Sequence, residues 1–385
     1  VKVYLDYNGS SPLDPRVAEV MWPTLINGIG NASSVHRFGR HQAAAVSQAR
    51  EHIAALVGAN ASHVLLTASA TEANNLVLQG VAQGAPLDRP RILVSAVEHA
   101  SVLQTARWLS KQGLATVGFI PVTRGGYVDP ETVAALVDTD VRLVSVMAAN
   151  SETGVTNPVA EIAQRVHAVG ALFHCDATQY VGRRAFHLTD AQADFVSLSG
   201  HKICGPNGVG ALIGTRASLR QLQPLIHGGG HEQGLRSGSC NVAGAVGFGE
   251  AARIAKEERE TEAVRVAGLR DRLVAALADK LSGVHTNGDS ARRLPNTANL
   301  RFEGANAEAV ATNMDPVAVS TGSACSSGSI EPSEVLVAMG VSRAAAFESI
   351  RFSLGRFTTD SHIDAAIKAT VTAVEYVRVM TQESS

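Results

Sequence analysis

Residues 194–215 read DFVSLSGHKICGPNGVGALIGT. Two apolar runs, 194–202 and 208–215, flank a turn rich in Gly and Pro. Neither run alternates polar with apolar residues, which is the pattern of a strand buried on both faces. The first run closes on Ser199, His201 and Lys202, so a buried strand delivers a hydroxyl, an imidazole and an amine to one place. The same texture recurs at 63–69, 91–99, 141–150 and 171–179. Helical patterns at 71–83, 100–112, 130–137 and 158–169 fall between these runs. Such alternation predicts an α/β fold with a mostly parallel central sheet covered by helices.

Beyond Val242 the texture changes. Residues 244–281 carry helical periodicity without Pro, enough for a helix of about 55 Å that leaves one domain and enters another. Glycines near its start suggest a bend. Its charged run KEERETE reads as a solvated face. Shorter strands and helices follow, as in a smaller α+β domain. The expected division is a large domain over 15–255 and a small one built from 1–14 and 256–385.

The chain has 385 residues, 45% hydrophobic and 18% charged, with a formal net charge of −2. That balance gives no global basic field to recruit nucleic acid or an anionic membrane. No apolar run reaches the ~18 residues of a membrane span, and VKVYLDYNGSSPLDP lacks the charged and apolar regions of a signal peptide. The four cysteines, Cys175, Cys204, Cys240 and Cys325, form no C-x-x-C pair. A reducing cytoplasm with free thiols is the expected setting. Cys325 stands apart, in STGSACSSG (320–328), where packing is least able to hold it.

In open α/β sheets ligands bind at the carboxyl ends of the strands. The residues closing the apolar runs or opening the helices after them include Thr71, His99, Asn150, Asp176 and Lys202. Lys202 alone reads as a surface charge. Asp176, directly after a buried strand, needs a cationic or hydrogen-bonding partner. Thr71 opens a helix whose first N–H groups suit a phosphate. A lysine for a Schiff base, a carboxylate for a pyridinium and a helix start for a phosphate are together the three handles of pyridoxal phosphate. His99 reads either as a satisfied polar residue at a strand end or as a ring stacked on a cofactor and acting as acid or base. Arg351, in SIRFSLGR (349–356), reads as a surface ion-pair partner or as the planar fork for a substrate carboxylate. HGGGH (227–231) has two histidines, but three glycines between them disfavour the helix a zinc pair needs, and no metal is expected.

Taken with YLDYNGSSPLDP, GNASSVHRFGR, SATEANN, EHASV, ETGV, DATQYVG, GGGHEQGLRSG, EPSEVL and SIRFSLGRFT, these stretches resemble the cysteine desulfurases. These are fold-type I, class V-like pyridoxal-phosphate enzymes. The cysteine inside a Gly/Ser-rich segment is similar to group I, the type serving nitrogen fixation and iron–sulfur assembly.

The resemblance implies roles. Lys202 would hold the cofactor, Asp176 its pyridine nitrogen and Gln179 its phenolic oxygen, with His99 stacked on the ring. Thr71, Ser199 and His201 would bind the phosphate, joined by Ser239 from the partner subunit of a homodimer. Arg351, Asn150 and Ser151 would bind L-cysteine, and Cys325 would be the nucleophile. The products would be L-alanine and a Cys325 persulfide passed to an acceptor protein, for iron–sulfur assembly, tRNA thiolation or DNA phosphorothioation. A selenocysteine lyase or another class V enzyme is the nearest alternative, and a non-catalytic docking scaffold that binds the cofactor is one of another kind. Two departures stand out: Ser151 where many relatives have Asn, and Ser239 where they often have Thr. A Gly/Ser-rich loop of about 12 residues spans up to ~40 Å. That is ample for a thiolate that attacks sulfur in a pocket and then delivers it outside.

Overall fold

The computed structural model describes residues 2–84, 89–321, 324–326 and 329–383, with the backbone alone described at 324–326, 329–330 and 383. After a short first strand β1 (Val3–Tyr4) and helices α1 (Pro15–Asn27) and α2 (Arg37–Leu56), the chain builds a seven-stranded sheet. Its strands are β2 (Val64–Thr67), β3 (Arg91–Ser95), β4 (Thr116–Ile120), β5 (Val141–Ser145), β6 (Leu172–Asp176), β7 (Phe195–Ser199) and β8 (Gly210–Gly214). They lie in the order β2-β8-β7-β6-β5-β3-β4. Only β8 runs against the others. Helices α3 (Ala70–Gly84) and α4 (Ala100–Lys111) follow β2 and β3.

Successive strand residues face opposite sides of a sheet, and both sides here are apolar. Val144, Phe173, Val196 and Ile213 pack into one core with α2 and the start of the long helix Val242–Lys280. Their neighbours Leu143, Phe195 and Leu212 pack into another with Leu76 and Val77 of α3 and Val102 and Leu109 of α4. Burial on both faces is why these strands lack alternation in sequence. β4 escaped the sequence reading for the converse reason. It is an edge strand, exposed at Thr116 and Phe119 and interrupted by Gly118.

A further core lies around a three-stranded antiparallel sheet of β9 (Val284–Thr286), β10 (Thr297–Phe302) and, after β11 (Val317–Ala318), β12 (Ala324–Ser326) and β13 (Ser329–Glu331), the last strand β14 (Ser349–Ser353). Leu300, Phe302, Ile350 and Phe352 meet Leu269, Leu273 and Leu277 of the long helix and Ile363 and Val374 of the C-terminal helix Asp360–Glu383. Val3 and Leu5 join this core, and β1 pairs with β11.

The long helix has 39 residues, about 58 Å at 1.5 Å per residue. It is one continuous element, and its early glycines do not break it. They admit close neighbours instead. A Cβ on Gly249 would lie 2.6 Å from the Cα of Ala49 in α2, and one on Gly247 would overlap Met21 of α1.

Candidate active site

Parallel strands place their carboxyl ends along one edge, and the connections after β2, β3, β5, β6 and β7 meet there. They enclose a cavity of about 400 Å³. Residues 8 and 9, after β1, and Arg351 of β14 close it from the side of the three-stranded sheet. Of the sequence-derived candidates, Thr71, His99, Ser151, Asp176, Gln179, Ser199, His201, Lys202 and Arg351 line it.

Thr71 sits in the first turn of α3, where helical geometry leaves amides without intrahelical partners. The turn is fixed by a capping box in Ser69-Ala70-Thr71-Glu72. Ser69 Oγ accepts from the Glu72 amide at 3.1 Å, and the Glu72 carboxylate reaches back to the Ala68 amide at 2.9 Å. Ser199 ends β7 and is buried. His201, in the single 3₁₀ turn after it, has Nδ1 3.1 Å from Ser10 Oγ. Burial, then Lys202 and His99, lowers its pKa to about 4, so the ring is neutral at physiological pH.

The amine of Lys202 donates to the carbonyls of Asn8, at 2.7 Å, and Gly9. Burial, followed by the nearby guanidinium groups of Arg183 and Arg351, lowers its pKa to about 8, against the opposing pull of Asp6 and Asp176. Asp176 is the last residue of β6 and is buried. One oxygen accepts from the Thr178 amide at 3.0 Å and the other from Asn74 Nδ2 at 2.8 Å. Gln179 donates Nε2–H to the Asn8 carbonyl at 2.9 Å, while its Oε1 is buried without a partner.

Arg351 is held by Asp6 (Nη2 to Oδ1, 2.5 Å) and by the Ser151 carbonyl (Nη1, 3.1 Å), and its Nε is buried and unpaired. The guanidinium is therefore pinned on one side and still has donor capacity. It is a site element rather than a surface ion pair.

Three candidates lie elsewhere. Asn150 is buried but outside the cavity wall. Its Nδ2 donates to the Val97 carbonyl at 2.9 Å, and its Oδ1 accepts from the amides of Glu152 and Thr153. Its side chain thus folds the turn that presents Ser151. Ser239 is exposed and does not line this chain's cavity. The Cys325 backbone pairs with Ile330 in the β12–β13 hairpin, and its side chain lies outside the described residues. Both ends of that segment are tied beside the cavity. Ser320 exchanges backbone bonds with Arg351, and Ser333 donates to the Glu152 carboxylate at 2.5 Å.

His99 differs from its expected place. β3 stops at Ser95, and His99 is the N-cap of α4, its Nδ1 accepting from the Ser101 amide at 3.1 Å. Sequence reading also missed Asp6, Asn8, Gly9 and Asn74. All four stand inside the quoted stretches YLDYNGSSPLDP and SATEANN, but their spacing to Arg351, Lys202 and Asp176 exceeds any local pattern.

The donor set matches pyridoxal phosphate: a loosened lysine proton, a buried carboxylate locked in place, an unsatisfied buried amide oxygen, and hydroxyl, imidazole and helix-start donors together. Among the described residues no helix is long and apolar enough to cross a membrane, and no cluster of three or more His, Cys, Asp or Glu could hold a metal ion.

The profile of the family described as aminotransferase class-V matches residues 3–366. A cysteine desulfurase IscS of Anaeromyxobacter sp. (strain Fw109-5) is 44% identical over 381 residues, covering 99% of this chain and 94% of that protein. Among solved structures, a NifS-like protein superposes with a TM-score of 0.91 at 34% identity, over 98% of this chain and 100% of its own. A structure described as SspA in complex with cysteine superposes with a TM-score of 0.82 at 31% identity, over 93% of this chain and all of that one. With a class-V profile spanning the seven-stranded and the three-stranded sheets and relatives matched nearly end to end, the chain belongs to the cysteine desulfurases of the aminotransferase class-V family.

Proposed function

We propose that this chain removes sulfur from L-cysteine with pyridoxal phosphate, yielding L-alanine and a persulfide on Cys325 for transfer to an acceptor protein. The observation that carries the reading is a single cavity holding Lys202, Asp176 and Arg351, the first with its pKa lowered to about 8. When bound, the cofactor supplies an electron sink for the bond changes at the amino acid.

Lys202 is the attachment point. Because part of its amine is neutral near pH 7, Lys202 would hold the cofactor and, as a free amine, could take the substrate's α-proton. Asp176, fixed by two N–H donors, would hold a proton on the cofactor's ring nitrogen. Thr71, Ser199 and His201 would bind the phosphate, and the buried Gln179 side chain would bond a polar atom of the ring. Arg351 would grip the substrate carboxylate beside Ser151, and His99 would stand against the cofactor ring.

The Cys325 thiolate attacks the substrate sulfur. A sulfur–sulfur bond forms, the carbon–sulfur bond breaks, and a proton returned to carbon completes alanine. Cys325 thiol plus cysteine gives Cys325 persulfide plus alanine, with no outside oxidant. Ser320 stands beside Arg351, and five residues of chain reach up to ~17 Å, so the thiol can arrive from that anchor.

In this reading residues 15–255 hold the cofactor, and 1–14 with 256–385 carry the Cys325 segment. The chain works as a homodimer in a reducing cytoplasm. Support for the dimer is an apolar surface on α1 and the turn after it, exposing Trp22, Leu25, Ile26 and Ile29, together with Ser239 left exposed outside its own cavity.

The deciding experiment is sulfide and alanine release from L-cysteine under reductant by the yellow holoenzyme. Lys202→Ala should lose the covalent chromophore and all turnover. Cys325→Ser should stay yellow, change spectrum on mixing with cysteine, and make no alanine. Undiminished alanine from the serine variant would falsify the role of Cys325.

A further inference from the structure

Behind the cavity wall, a chain of side chains connects two site residues that lie on different strand–helix connections. Asn74 on α3 is fully buried. Its Nδ2 donates to Asp176 Oδ2 at 2.8 Å and to Ser101 Oγ, also at 2.8 Å. Ser101 Oγ lies 2.8 Å from His99 Nδ1. Its backbone amide donates to the same nitrogen at 3.1 Å.

The direction of each bond follows from what each group can do. An ionised carboxylate only accepts, so Asn74 must present its NH₂ to Asp176; the flipped amide would set oxygen against oxygen. The second N–H of that NH₂ goes to Ser101. Ser101 Oγ already accepts from Asn74, so its own proton is directed to His99. Nδ1 of His99 therefore receives two donors and carries no proton itself. The neutral ring keeps its hydrogen on Nε2.

The arrangement has a cost that packing does not explain. The Oδ1 of Asn74 is buried without a partner, a desolvation loss that no hydrogen bond offsets. A residue there for stability alone would be apolar.

Resting on the reading of Asp176 as partner of the ring nitrogen and His99 as cover of the ring, we infer that Asn74 and Ser101 are positioning residues of the reaction. Asn74 aims the Asp176 carboxylate and, through Ser101, holds His99 in one tautomer. The ring nitrogen's partner and the ring's cover are one hydrogen-bonded unit. His99 thus offers the cavity a donor at Nε2.

The test uses the holoenzyme labelled with ¹⁵N-histidine, in which the His99 signals are found by their loss in His99→Gln. Near pH 8, without substrate, Nδ1 should be bare and Nε2 protonated. Ser101→Ala should lower kcat for L-cysteine at least tenfold, with KM changed less than twofold and cofactor content unchanged, and Ser101→Thr should restore most of the loss. Asn74→Leu should lose a similar factor. The Asn74→Leu/Ser101→Ala double variant should be no slower than the slower single one, because the two act in one chain. Should Asn74→Leu fail to fold, the Ser101 variants and the tautomer decide alone. A proton on Nδ1, full kcat in Ser101→Ala, a threonine variant as slow as alanine, or losses that multiply would each overturn the inference. The tautomer is read without turnover, so the relay can fail while wild-type sulfide release, and with it the parent reading, stands.

Discussion

Lys202 and Glu98 both carry titrations displaced by burial, and their consequences run in opposite directions of pH. An ordinary lysine amine stays almost wholly charged up to about pH 9. With a pKa lowered to about 8, Lys202 should take up pyridoxal phosphate into the apo-protein at a rate that climbs through pH 7–8 and levels off above. Stopped-flow absorbance reads this directly. A rate still rising steeply at pH 10 would show an unperturbed amine.

Glu98 is buried beside the site, with one oxygen accepting from the Met147 amide at 2.7 Å and the other without a partner. Burial, with Asp176 adding to it, pushes its carboxyl well above the usual range. Its carboxyl therefore keeps its proton to higher pH in the fold than in the unfolded chain. Its contribution is complete below the unfolded pKa and is lost as pH rises towards the folded one. Glu98→Gln cannot ionise, so the variant should gain stability relative to the parent between pH 5 and pH 8 in urea denaturation. Parallel curves at the two pH values would mean the carboxyl is ionised in the fold.

Most of the chemistry-bearing side chains were legible from sequence because each closes a buried run or opens a helix, where a lysine or aspartate is out of place. Asp6, Asn8 and Gly9 were not. Asn8 and Gly9 act on Lys202 through backbone carbonyls, which have no residue-type signature, and Asp6 meets Arg351 across 345 residues of chain.

At the scale of elements, the two-sided burial of β2, β3, β5, β6, β7 and β8 made their apolar runs readable, whereas β4, half in solvent, left no run to find. Burial separated the two outcomes, since β2 is also an edge strand but is buried along its length. The glycines of the long helix show a related limit of sequence reading. Sequence shows that a glycine is present but not what lies against it. That difference predicts opposite signs for one substitution at two sites of the same helix. A methyl added at Gly268 would meet nothing within 4 Å, so Gly268→Ala should stabilise by roughly 0.5–1 kcal/mol through helix propensity. Gly249→Ala has the same propensity gain but meets the backbone of Ala49, and overpacking of this kind costs about 1–3 kcal/mol. Denaturation of the two variants should move in opposite directions. A stabilised Gly249→Ala would mean that α2 yields freely.

For the molecule as a whole, the exposed apolar residues of α1 have a measurable consequence under the proposed dimer. Trp22 is 63% exposed and Ile26 58%. Trp22→Glu should shift sedimentation from dimer towards monomer and lower turnover with it, since Ser239 would no longer reach a neighbouring site. A wild-type chain that sediments as a monomer and is fully active would end the dimer reading.

The long helix also joins the two halves mechanically. Its first turns bury Ala245, Phe248 and Ala252 in one core, and its last bury Leu269, Leu273 and Leu277 in the other. One unbroken hydrogen-bond ladder connects them, so neither half can open fully without fraying the other's end. Amide hydrogen exchange should therefore find residues 256–265, largely solvent-facing and far from either core's centre, protected nearly as well as the buried turns flanking them. Those amides would then exchange only in the rare global openings.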